Sequence, residues 1–111
     1  MTGAFEDREK SYEAKWAHDE DVRFRTVARR NKLLGQWAAA EMGLKGAAAD
    51  SYVHVLLDLE VKGGRDEDIA AKIRADFDAQ GIGLSDHVIH RKMEELLAEA
   101  GSQVMRETKK G

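Results

Sequence analysis

Not one of the 111 residues is proline, and no other feature narrows the fold as far. Average usage of about 5% would place roughly five in a chain of this length. Proline removes a backbone donor and collides with the preceding helical turn, so a chain without it is biased toward long helices. Between Ala4 and Leu34 there is no glycine either. Nothing in the backbone chemistry interrupts a helix before Gly35.

Charge along this first third is sorted by position. Residues 1–21 hold seven acids against three bases, whereas residues 22–36 hold Arg23, Arg25, Arg29, Arg30 and Lys32 with no acid. A helix that is acidic first and basic later agrees with its own dipole, and such sorting also suits a surface that meets a partner.

The periodicity predicts a first helix from about residue 5 to residue 42, with Gly43 as its left-handed stop. Phe24, Val27, Ala28, Asn31, Leu34 and Ala38 recur at three- and four-residue intervals and form its expected buried stripe. Phe5, Tyr12 and Trp16 share a face nearer the start, but with only Glu9 and polar neighbours between them that face is thin. Residues 1–18 are therefore expected to be a mobile or partly helical arm, and residues 19–111 the bundle domain. A second helix is expected over 47–61, with Val53, Leu56, Leu57 and Val61 inward and Gly63-Gly64 after it. A third opens near Asp66, where Asp66, Glu67 and Asp68 suit the positive end of the dipole. It buries Ile69, Ile73 and Phe77 and stops at Gly81. Ser85 is the expected N-cap of the last helix, whose core face is Val88, Ile89, Met93, Leu96, Leu97, Ala100, Val104 and Met105. Four helices joined by short glycine loops predict an all-α fold, a compact antiparallel four-helix bundle.

The chain is long enough for one modest core and too short for two; a domain of this size buries roughly 65% of its chain surface. Hydrophobic content of 42% and charged content of 35% describe a globular protein with a charged skin. The absence of cysteine excludes a disulfide scaffold and a thiolate zinc cluster and suits a reducing cytoplasm. No apolar run approaches the ~20 residues of a membrane span, and the acidic start does not have the layout of a signal peptide. A cytoplasmic protein is expected. A net charge of −3 argues against a general nucleic-acid binder.

Candidate chemistry is sparse. His87, His90 and Glu94 fall on one helical face, as a divalent metal site would require, but no fourth ligand is indicated and two surface histidines are the simpler account. His18 and Asp19 are adjacent, so on a helix they point about 100° apart and make a poor acid–base pair. Gly63-Gly64-Arg65 and Gly81-Ile82-Gly83 have no P-loop ending and read as helix stops. No nucleophile–base pair is evident, so the chain does not read as an enzyme, and no cofactor is expected.

The basic stripe is harder to dismiss. Arg25, Arg29 and Lys32 lie at i, i+4 and i+7, and Arg23 and Arg30 repeat at seven. Asp19–Arg23 and Asp21–Arg25 are acid-before-base i, i+4 pairs. Two readings stand: a solvated face, or a docking surface for a protein. The aromatic stripe has the same duality, as core or as anchors of a helix-in-groove ligand. Its placement in the least anchored region favours the arm. A helical adaptor for another partner, or a bundle that binds metal or nucleotide weakly, is the rival account.

Three runs have a family likeness: Phe5-Glu6-Asp7-Arg8-Glu9, Glu13-Ala14-Lys15-Trp16-Ala17-His18-Asp19, and Ala28-Arg29-Arg30-Asn31-Lys32-Leu33-Leu34-Gly35-Gln36-Trp37-Ala38-Ala39. They resemble the zeta-subunit family of alphaproteobacterial F-type ATP synthases. The likeness continues more loosely through residues 64–69 and the final helix, and residues 44–61 depart most. The resemblance implies a four-helix bundle whose amino-terminal segment inhibits ATP hydrolysis by entering an interface of the alpha and beta subunits near the gamma shaft. Carried over by motif, the partner-binding residues are Phe5, Asp7, Arg8, Glu9, Tyr12, Glu13, Lys15, Trp16 and His18, followed by Arg25, Arg29, Arg30 and Lys32. It also implies a peripheral place at the inner membrane and a weak nucleotide contact, for which the sequence has no motif. The free protein is expected to be a monomer.

Overall fold

The computed structural model describes residues 19–110. They form four helices: α1 over Glu20–Glu41, α2 over Gly46–Val61, α3 over Asp66–Ala79 and α4 over Asp86–Lys110. Among the described residues there is no strand.

The helix starts follow local chemistry. The Asp19 carboxylate accepts the backbone N–H of Val22 at 3.2 Å and opens α1. The Asp68 carboxylate accepts the N–H of Arg65 at 2.8 Å and closes the first turn of α3. Ser85 Oγ accepts the Val88 N–H at 3.3 Å before α4. Each satisfies a donor that the helix itself leaves unpaired. The helix ends share one device. Gly63 sits at φ 91°, where a side chain would clash, and lets Gly64 N–H reach the Leu59 carbonyl at 2.8 Å. Gly43 and Gly81 end α1 and α3 the same way.

Asp19 also corrects the expectation of one unbroken first helix. Its backbone is extended, at φ −108° and ψ 111°, so the helix that begins at Glu20 is a fresh start. The side chain that sequence spacing assigned to Arg23 serves the cap. Residues 1–18, including the expected aromatic arm, lie outside the described residues.

The core is a single main cluster with a smaller satellite. Leu34, Leu56, Ile69, Ile73, Phe77 and Ile89 are fully buried in the main one, so every helix contributes. Trp37 meets Phe77 edge to face, with ring centroids 5.6 Å apart. The satellite joins the two ends of the chain's helical part: Val22 packs with Val104, flanked by Leu97 and Met105. Helix α1 is the central element and packs along both α2 and α4.

Between the clusters α1 carries buried polar residues, Thr26, Arg30 and Asn31. This overturns part of the expected stripe. Phe24 is 66% exposed, and Val22 and Thr26 take the inward positions. Val61, expected in the core, is 80% exposed at the last turn of α2. With so few apolar side chains in the first half of α1, the contact with α4 and the polar layer decide which face turns inward.

Gly35 is needed for space, not for turning. A Cβ there would stand 3.0 Å from Val53 Cα on α2. Alanine favours a helix interior over glycine by about 1 kcal/mol, but overpacking against backbone costs about 1–3 kcal/mol. Gly35→Ala is therefore expected to lower stability by about 1 kcal/mol net, read as a shift of the urea midpoint. An unchanged or higher midpoint would show that α1 and α2 can move apart freely.

Candidate functional site

The basic residues of α1 do not remain together as a free stripe. Arg29 donates to Gln103 Oε1 at 2.7 Å and to Glu107 Oε1 at 2.8 Å, both on α4. Arg25 lies 3.5 Å from Asp21 and 3.7 Å from Glu107, and donates to Thr108 Oγ1 at 3.4 Å. These two guanidiniums strap the start of α1 to the end of α4 beside the Val22–Val104 contact. Of the expected i, i+4 pairs, Asp21–Arg25 is present. Lys32 and Arg23 stay exposed, with no ion pair among the described residues.

Arg30 is a correction. Its side chain is 3% exposed. Nη2 donates to Asp66 at 2.6 Å and Nε donates to Asn31 Oδ1 at 2.7 Å. Asn31 Nδ2 in turn donates to Glu60 Oε1 at 3.0 Å. The chain Asp66–Arg30–Asn31–Glu60 ties α1 to the start of α3 and the end of α2. Burial takes the guanidinium off the surface that a partner could touch. Phe5, Asp7, Arg8, Glu9, Tyr12, Glu13, Lys15, Trp16 and His18 lie outside the described residues.

The straps have a pH signature. The hydrogen bond from Arg29 is the main cause that holds the Glu107 carboxyl below its ordinary value of 4.5, assisted by the positive charges of Arg29, Arg25 and Arg106. The same hydrogen bond raises Arg29. A carboxyl depressed in the folded state adds stability above its unfolded value, and that stability is lost as the pH falls through the folded value. Acidification below about 4.5 is thus expected to lower the melting temperature of the native chain. Glu107→Gln should be less stable than the native chain at neutral pH, and the difference should shrink on acidification. Parallel melting curves across acid pH would rule out the strap.

The histidines are occupied locally. His90 Nδ1 stands 2.8 Å from the Asp86 carbonyl, and His87 Nε2 is 3.3 Å from an Arg91 guanidinium nitrogen. Among the described residues no three His, Cys, Asp or Glu side chains are placed to hold a metal ion. On α2, Tyr52 donates to Asp76 Oδ2 at 2.8 Å. Burial, and then the Asp76 carboxylate, push the phenol pKa up, so it stays a neutral strut between α2 and α3.

One surface feature was not legible beforehand. A groove of about 580 Å³ runs beside the start of α1, lined by Glu20, Asp21, Arg23, Phe24, Val27 and Glu60. No helix among the described residues is long and apolar enough to cross a membrane.

Fold and surface define a small all-α bundle whose buried polar groups and interhelical charges hold its helices in register. The chain belongs to the ATPase inhibitor subunit zeta family, whose model matches residues 1–103. The match covers the eighteen residues before the Asp19 cap as well as most of the bundle. Comparison with curated proteins gave no match.

Proposed function

We propose that this chain restrains ATP hydrolysis by an F-type ATP synthase by inserting residues 1–18 into an alpha/beta interface near the gamma shaft. The bundle serves as the handle that holds this segment in place. The observation that carries the reading is the Asp19 cap. The bundle starts afresh at Glu20, and its described core closes on residues from Val22 onward. The family match nevertheless extends to residue 1.

Physical scale supports the idea. Eighteen residues in a helix would span about 27 Å, a length suited to reaching from a surface toward a shaft. An isolated helix of that length is marginal in water, so a cleft that buries its aromatic residues can order it. Each buried aromatic anchor contributes about 1.5–3 kcal/mol, and Phe5, Tyr12 and Trp16 are three of the chain's seven aromatics. A wedge in a rotary interface stops turnover without chemistry of its own. Arg23 and Lys32, exposed on α1, are the basic residues best placed to meet the rim of such a site.

The test is ATP hydrolysis by the cognate complex with and without the full chain, paired with recovery of alpha, beta and gamma subunits on the immobilised protein. Hydrolysis that proceeds at the same rate with saturating protein would dispose of the inhibitory reading.

A further inference from the structure

Helix α4 is held by two kinds of contact along its length. Its first half enters the main cluster through Ile89 and Met93, whereas its last part reaches the satellite, where Val104 meets Val22. The changeover falls at Gly101, the one glycine of α4, which is buried. Glycine regains the most backbone freedom on leaving a helix, so α4 breaks most readily there. Beyond it the ties to α1 are few and partly in solvent. Arg29 reaches Gln103 and Glu107, and Arg25 reaches Glu107 and Thr108. The side chains of Arg25 and Glu107 are 40% and 46% exposed, and water and salt weaken such pairs. A hollow of about 230 Å³ lined by Arg29, Gln103, Arg106 and Glu107 leaves this seam loosely packed. Thr26, one turn after Val22 on the same face of α1, is fully buried, and its hydroxyl has no hydrogen-bond partner among the described residues. Water completes that unmade bond once α4 lifts.

We propose that residues 102–110 form a latch that releases α1 as one unit, with Gly101 as its hinge and the main core undisturbed. This last stretch of α4 is too short to stay helical alone in water, so once released it melts instead of swinging out as a rigid arm. Melting stops at Gly101 because Ala100, Met93 and Ile89 before it are buried in the bundle. The closed latch occupies Arg25 and Arg29 and covers Val22; the open one frees all three. A partner that takes those guanidiniums must first lift α4, so its apparent affinity scales with the open fraction. The latch does not rest on the inhibitory reading of residues 1–18.

Native-state hydrogen exchange of the full chain tests it. The amides of Val104, Met105, Arg106 and Glu107 are expected to share one protection factor, about tenfold or more below those of Ile89 and Met93 in the same helix. Protection that instead declines steadily from Ala100 to Glu107 is the fraying of any helix end and overturns the proposal. Protection equal to that of Ile89 overturns it too. The coupling to α1 is read with Arg29→Met, which keeps an apolar stem and removes the strap from the opposite helix. Arg29 lies outside both apolar clusters, so the variant keeps its core. The four α4 amides are expected to lose protection together, by about fivefold. No change in them, or a change in Glu107 alone, overturns the latch by showing that α1 does not hold it.

Discussion

A chain lacking residues 1–18 is expected to keep its bundle and, on the proposed reading, to lose its inhibition. The bundle survives because its first helix has its own start: Asp19 satisfies the Val22 N–H, and Val22 already packs on Val104. Circular dichroism of the truncated chain is expected to show a cooperative melt within a few degrees of the full chain. On the proposed reading inhibition goes with the wedge; removing even one aromatic anchor, as in Trp16→Ala, is expected to weaken it by about 1.5–3 kcal/mol, or roughly ten- to a hundredfold. The comparison is made by ATP hydrolysis over a titration of each variant. Full inhibition by the truncated chain would move the active surface onto the bundle, with Arg23 and Lys32 as its first suspects. A truncated chain that cannot fold would show that residues 1–18 belong to the core.

The second large effect separates two neighbours that look alike in the sequence. Arg30→Ala is expected to destabilise by about 3 kcal/mol, whereas Lys32→Ala stays within about 0.5 kcal/mol. Arg30 fills buried volume with its stem and donates to Asn31, which is fully buried. Its loss leaves the Asn31 carbonyl without a donor in a dry site, at about 1–3 kcal/mol, besides a cavity. Asp66 is 69% exposed, so water takes over its solvation and the lost ion pair adds little. Arg30→Lys keeps the charge but cannot donate to Asn31 and Asp66 in the same fork, and should fall between. For a domain of this size 3 kcal/mol lowers the melting temperature by roughly 12–24 °C. Equal melting temperatures for Arg30→Ala and Lys32→Ala would mean the polar layer is dispensable.

Where local rules suffice, the structure and the sequence agree. Ile69, Ile73 and Phe77 repeat every four residues on α3, and all three are buried. Ser85 caps α4 as its hydroxyl and position require. Glycine stops end α1, α2 and α3 because their positive φ is a property of the residue itself. The last helix is amphipathic over its whole length, so Ile89, Met93, Ala100 and Val104 point inward as their spacing demands.

The first half of α1 behaves differently. Its apolar side chains are too few to mark one face, so spacing put Phe24 in the core and passed over Val22, the reverse of what the structure shows. The choice fell to Val104 on α4, which packs on Val22. The same holds for its cations: Arg29 finds Glu107 across 78 residues, and Arg30 finds Asp66 across 36. No rule of helical neighbours reaches that far. Composition and short-range spacing were enough for four helices, most of their ends (the start of α1 at Asp19 excepted) and most of their inward faces, because caps, stops and amphipathic stripes act within a few residues. Which guanidinium is buried, which one straps two helices together and which phenylalanine is left facing water depended on segments distant in the chain, and so was decided only when the helices packed.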